Sequence, residues 1–253
     1  MRTLMASVPG RPGRINQDFT GAVPGTAVLI DGAGIPGAEG LCRHGVAWYA
    51  TRLGATLLGL LSLEPERGLT PLLATAIEQV TGEHRDTCAV TDPISPSATV
   101  AILRRSGDLV EYLVLGDTYV VLDRIDGPPL VVTDPREVVI AAPYQAALEA
   151  GADRETVLRE LRAHRNQPGG FWLAKDDPLA AGEAITGSSP IAGLAGAALL
   201  SNGAAGIVDP LRLAGWPEVM SVLRSSGPDE IIRRVRAADA TPDDATITVL
   251  GLA

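Results

Sequence analysis

Short aliphatic runs that begin or end on an acidic or amide side chain recur along this chain, and they limit its fold more than any other feature. Thr26–Ile30 is a continuous apolar run that passes into Asp31-Gly32-Ala33-Gly34. Ala195–Leu200 stops at Ser201-Asn202-Gly203, and Ala245–Leu250 is introduced by Asp243-Asp244. Asp18 stands immediately before Phe19, and Asp117 falls at a turn in LVLGDTYVVL. Runs of this length, bounded by glycine and turn residues, read as buried strands.

Between the strands lie segments of helical spacing, Cys42–Leu63 and Leu69–His84, with Gly68 as the break. Ala98–Leu103, Leu109–Leu115 and Tyr119–Leu122 read as an antiparallel meander, with Leu130–Thr133 as a further strand. Tyr144–Arg165 returns to helical periodicity, as two helices broken near Gly151. RNQPGGFWLAKDDP, from Arg165 to Pro178, reads as an irregular surface loop or flap. Trp216–Arg224 and Asp229–Ala238 are short helices before the last strand. This order lacks a βαβ alternation and fits an α+β layered fold of antiparallel sheets covered by helices. One domain over residues 1–253 is expected, with a flap-like segment near 140–185. Aromatic residues are only 4% of the chain, so Val, Leu, Ile and Ala must fill its core.

The net charge of −9 and the lack of a basic stripe exclude a nucleic-acid surface, and they disfavour an anionic membrane. The apolar stretch Gly54–Leu63 is too short to span a bilayer. The N-terminal MRTLMASVPGRPGR has no apolar h-region, so secretion is not expected. Cys42 and Cys88 form no metal-ligand or redox spacing, which suits reduced thiols in the cytoplasm.

Strand ends on one edge of a sheet converge although they are distant in sequence. Carboxylates gathered there repel one another unless cations neutralise them. Mg²⁺ and Mn²⁺ favour such oxygen ligands, and a metal pair lowers the pKa of a bridging water and clamps a phosphoryl oxygen. Each DG or SNG taken singly is more often an ordinary turn. Their joint order carries the information.

NQD (Asn16–Asp18), DGAG (Asp31–Gly34), SPSATV (Ser95–Val100), LGDT (Leu115–Thr118), LLSNG (Leu199–Gly203) and PDDAT (Pro242–Thr246) together resemble the motifs of the metal-dependent, type 2C (PPM) Ser/Thr protein phosphatases, in family order. The resemblance implies a four-layer α-β-β-α sandwich with two Mn²⁺ or Mg²⁺ ions at one end, and a weaker third. It implies that Asp31 bridges both ions, that the Gly32 carbonyl completes one, and that Asp243 binds the other. Asp18 would hold metal-bound water, and Asp117 matches the third site. A metal-bridging water would then attack phosphorus in a phosphoserine or phosphothreonine of a partner protein.

Four departures stand against the pattern. The family's Ser-Asp-Gly reads Ser201-Asn202-Gly203, which removes a full charge from a dication site. Gly13 occupies the spacing of the family's phosphate-binding arginine, with Arg14 one residue away. Ile35-Pro36 follows DGAG in place of further glycines, and Gly116-Asp117-Thr118-Tyr119 lacks the arginine of the family's Gly-Asp-Ser-Arg. Two rivals therefore accompany the phosphatase reading: a pseudophosphatase kept as a binding or regulatory module, and an enzyme on the same scaffold acting on a small phosphorylated molecule.

Other residues carry less. His44 reads as a packing or helix-surface residue before a general acid, and His84 and His164 have no ligand-like spacing with it, so zinc is not expected. Arg165, Asn166 and Trp172 divide between substrate contact and a loop anchored by a buried aromatic. GxGxxG and Walker patterns are absent from the sequence, and Asp176-Asp177-Pro178 reads as a solvated turn.

Overall fold

The computed structural model of the chain describes residues 2–34 and 39–252, so Ile35-Pro36 lies outside the described residues. Ten strands form two five-stranded sheets. The first has the order β1 (Thr3–Val8), β10 (Ala245–Leu250), β9 (Leu194–Leu200), β6 (Tyr119–Arg124), β7 (Leu130–Val132). The second has the order β2 (Phe19–Val23), β3 (Thr26–Ala33), β4 (Ser97–Ser106), β5 (Leu109–Leu115), β8 (Ile185–Pro190). Every neighbouring pair is antiparallel. The helices are α1 (Gly45–Leu63), α2 (Leu69–His84), α3 (Arg136–Glu149), α4 (Arg154–Arg162), the one-turn α5 (Asn202–Ala205), α6 (Trp216–Ser225) and α7 (Pro228–Ala238).

Three apolar layers explain why the strands read as unbroken hydrophobic runs rather than as alternating ones. In β3, Ala27 and Leu29 face the other sheet and meet Leu122, Leu199 and Leu250. Val28 and Ile30 face outward, onto Leu53, Leu57 and Ile77 of α1 and α2. On the far side Val121, Ala198 and Ile247 are covered by Val219, Ile231 and Val235 of α6 and α7. Where both faces are buried, as over most of β3, β4, β9 and β10, a strand is largely apolar along its length. This is the four-layer α-β-β-α sandwich.

Helix α1 shows how burial decides what a sequence stretch is. It begins at Gly45, so its 19 residues and mean hydropathy of 1.3 are enough, by length and composition, to cross a membrane. The apolar stretch Gly54–Leu63 is the second half of this helix, whose start at Gly45 falls within the Cys42–Leu63 segment of helical spacing. Its Ala50, Leu53, Leu57 and Leu61 lie at helical spacing and pack on the sheet, each leucine contributing roughly 1.5–3 kcal/mol. That is the packing of a core helix. Gly54 lies on the same face, where an added Cβ would sit 2.1 Å from Cδ1 of Phe19. Helix propensity favours Gly54→Ala by about 1 kcal/mol, but the new Cβ drives into the Phe19 ring, and overpacking costs about 1–3 kcal/mol. Urea denaturation is therefore expected to show Gly54→Ala as destabilising, and a stabilised variant would contradict the packing.

Other expectations are corrected. The meander ends at β5, because β6 crosses to the other sheet and pairs with β9 and β7. Strands β1 and β8 had no separate signal; β1 begins in the N-terminal segment, and the alternating burial of ITGSSP in β8 leaves half its residues exposed. Asp31-Gly32-Ala33 is no tight turn but the end of β3, with Asp31 opposite Thr99. Asn202 and Gly203 open α5 rather than a turn. The stretch after Arg165 is not a free loop. Ala174 exchanges two backbone hydrogen bonds with Ala98 of β4, both 2.9 Å, and the buried aromatic is Phe171 rather than Trp172.

Candidate metal centre

Register alone brings the acidic residues to one end of the sandwich. Phe19 pairs with Ile30, so Asp18 and Asp31 meet where β2 begins and β3 nears its end. Leu115 of β5 lies opposite Val100, one step from the Thr99–Asp31 pair, and Asp117 follows in the crossing to β6. Leu200 at the end of β9 pairs with Ile247 and Tyr119, which sets Asn202 and Asp243 at the same end.

Two glycines permit the chains to close there. A Cβ on Gly32 would lie 2.4 Å from the Gln17 carbonyl oxygen, and one on Gly203 would lie 2.1 Å from that of Asp244. Neither backbone contact can relax around a side chain, so glycine is required.

A hydrogen-bonded frame holds the carboxylates. Thr246 donates its hydroxyl to Asp18 Oδ2 at 2.6 Å, and the Asp18 amide donates to Asn16 Oδ1 at 3.0 Å. Asp244 is buried, and its two oxygens accept the amides of Gly10 and Gln17, each at 2.6 Å. The second acid of PDDAT thus ties the 10–17 segment to β10. At the rim, the Asn202 amide nitrogen donates to Asp31 Oδ2 at 3.3 Å, and its side-chain Nδ2 donates to Asp117 Oδ2 at 2.9 Å.

Crowding shifts these groups together. Burial holds the Asp31 carboxyl well above the usual carboxylate range, and the charges of Asp18, Asp117 and Asp243 add to it. Although part of Asp31 reaches the surface, its carboxylate is ringed by protein. Burial pushes Asp18 up to about 6 against the opposing Thr246 bond, with Asp244 adding to the rise. Asp117 is raised by burial, with the Asn202 bond opposing. Nearby Glu137 is raised to about 7 by burial and then by Asp117.

A raised carboxyl makes the native state hold the extra proton, so its contribution to stability is full below the ordinary value of 3.8 and is lost as pH rises through about 6. For Asp18 this is on the order of 2–3 kcal/mol. In chelator, urea midpoints are expected to fall between about pH 4 and pH 6, and Mn²⁺ to restore the loss at the higher pH. A flat profile in chelator would refute the crowding.

The donor set suits hard divalent cations. It is all oxygen, it concentrates negative charge, and Asp18 Oδ1 is buried with no hydrogen-bond partner among the described residues. Among the described residues, no three of these carboxylates bring ligand oxygens within 4.8 Å of one another; the trio that does lies elsewhere, at Cys42, His84 and Cys88.

Asp18, Asp31, Gly32, Asp117, Asn202 and Asp243 therefore meet at one end. Arg14 does not join them as built. It is exposed on a turn whose amide bonds the Arg11 carbonyl at 3.1 Å. Arg165, on the flap side, has its Nε and Nη1 buried without partners among the described residues and lies near Glu137. His44 stacks on Trp48 with ring centroids 4.3 Å apart, a packing role. The sequence reading placed Asp244 among the acidic strand ends without a role of its own, and it gave no site role to Thr246 or Glu137. It also judged Cys42 and Cys88 to lack ligand spacing and His84 to lack a partner, and the fold brings all three together.

No family model and no curated protein matches this sequence. Solved structures match over the whole chain. A bacterial serine phosphatase is 12% identical with a TM-score of 0.65, covering 100% of this chain and 98% of that one. The catalytic domain of the serine/threonine protein phosphatase PstP in complex with two manganese ions is 17% identical with a TM-score of 0.64, covering 99% and 97%. The PPM Ser-Thr phosphatase MsPP from Mycobacterium smegmatis, in complex with cacodylate, is 19% identical with a TM-score of 0.60, covering 100% and 99%. At these identities the likeness is one of fold.

Proposed function

We propose that this chain, with the fold of the PPM phosphatases, is a divalent-cation-dependent phosphomonoester hydrolase acting on phosphoserine or phosphothreonine in a partner protein. The carrying observation is the crowding of Asp18, Asp117 and Asp243 about Asp31, together with a buried Asp18 oxygen that has no partner among the described residues. Two Mn²⁺ or Mg²⁺ ions held there would neutralise the carboxylates, activate water and withdraw charge from the phosphoryl group. Asp31 and Asp243 are the main protein ligands, with the Gly32 carbonyl beside Asp31. Thr246 pins one oxygen of Asp18 and leaves the other free to orient water or a proton. Asp117 serves a weaker outer position. Arg14 is exposed on its turn apart from these residues, and would contact a phosphate only after the turn at Gly13 (φ +80°) rearranges. The acidic chain takes no nucleic acid or anionic membrane as partner and works in the cytoplasm.

Asn202 supports a second reading, a weakened or inactive phosphatase that serves as a binding module. Its Nδ2 occupies Asp117, and it brings no charge to the site. Calorimetric Mn²⁺ titration, run beside hydrolysis of p-nitrophenyl phosphate and a phosphothreonine peptide, separates the two. Binding with turnover is expected. Binding without turnover leaves the second reading, and turnover of small phosphorylated metabolites alone would change the substrate class.

A further inference from the structure

Away from the acidic edge, three side chains of a different chemistry converge. Cys42 precedes α1, His84 closes α2, and Cys88 lies in the turn beyond it. Cys42 and His84 are buried and Cys88 is half-buried. Cys88 Sγ lies 3.2 Å from Cys42 Sγ, which is 3.7 Å from His84 Nδ1. Trp48 and Tyr49 shield the imidazole, with ring centroids 5.2 Å and 6.0 Å from it. The turn is clamped from behind by the Ala89 amide on the Leu41 carbonyl at 2.8 Å.

We propose that Cys42, His84 and Cys88 form a metal site for a borderline-soft cation of the Zn²⁺ class, with water in the fourth position. Distances decide between this and a disulfide. Tetrahedral Zn²⁺, with Zn–S of about 2.3 Å and Zn–N of about 2.0–2.1 Å, sets S···N near 3.6 Å and S···S near 3.8 Å. The sulfur–imidazole separation already matches, and the sulfurs need to part by about 0.6 Å. A disulfide needs them to close by about 1.1 Å, to about 2.05 Å, and has no use for the imidazole. Two thiolates and an imidazole select this cation over Mg²⁺ or Mn²⁺, so the two sites do not compete for the same ions. The ion would fasten the start of α1 to the end of α2.

The test uses the whole chain, reduced, stripped with chelator and titrated anaerobically with Co²⁺. Expected is a thiolate-to-cobalt charge-transfer band that saturates at one equivalent and is abolished by Zn²⁺. Asp31→Asn should keep the band. Cys88→Ser and His84→Ala should lower affinity by more than the roughly 10–100-fold that loss of a supporting residue costs. In the parent protein Zn²⁺ should slow the reaction of Cys88 with a thiol reagent, a readout that needs no variant. No band, unprotected thiols, or a mass two hydrogens short would each overturn the proposal, the last in favour of a disulfide.

Discussion

Asp31→Asn is expected to lower Mn²⁺-dependent hydrolysis of p-nitrophenyl phosphate by roughly 1000-fold or more, while making the cation-free protein more stable near neutral pH. The two effects have one cause. Asp31 is crowded by Asp18, Asp117 and Asp243 in a site that burial already makes unfavourable for charge. The amide keeps the oxygen that accepts the Asn202 N–H and removes the repelled charge. Relief of that repulsion is worth about 1–3 kcal/mol, the usual sign when a functional site holds strain. The same charge is what a bridging ligand must supply, so its loss removes cation binding with activity. Initial rates at saturating Mn²⁺, Mn²⁺ calorimetry, and urea unfolding in chelator measure the three quantities. A variant within tenfold of the parent in rate, or one clearly less stable without cation, would defeat this account of the site.

The central strands were legible because both their faces are covered, so TAVLI and ATITVL announce themselves without alternation. Their partners were not. Nothing local in LVLGDTYVVL says that the chain leaves one sheet at Asp117 and enters the other at Tyr119, because turn residues serve a hairpin and a crossing equally well. Strand β8 was lost for a related reason: its ITGSSP alternates between half-buried and exposed, at a sheet edge, with little apolar content.

At the site, residues lying in motifs were found and residues acting through contacts were not. Asp31 and Asp243 stand where strands end, and order along the chain revealed them. Thr246 looks like any β-branched strand residue until β10 places it against Asp18. Glu137 sits on an exposed helix and becomes notable only through its burial beside Asp117. The Cys42–His84–Cys88 cluster defeats spacing rules because the helices α1 and α2 lie between two of its members.

Asn202→Asp tests whether the amide at that rim position limits the site. In the parent, Nδ2 of Asn202 satisfies Asp117 Oδ2 at 2.9 Å. An aspartate would set two carboxylate oxygens at that distance, beside an Asp117 that burial has already raised. Without cation the variant is expected to lose about 1–3 kcal/mol near neutral pH, with less loss in acid, where the pair can share a proton. With cation the sign reverses. A full negative ligand in place of an amide is expected to tighten Mn²⁺ binding by roughly 10–100-fold and to raise hydrolysis at limiting Mn²⁺ in step. A gain of that size returns about 1.4–2.7 kcal/mol when the ion is in excess. The variant should therefore melt below the parent in chelator and close to it in Mn²⁺. Unchanged affinity would mean that position 202 lies outside the coordination sphere, and the loss of charge there would no longer explain a weak enzyme.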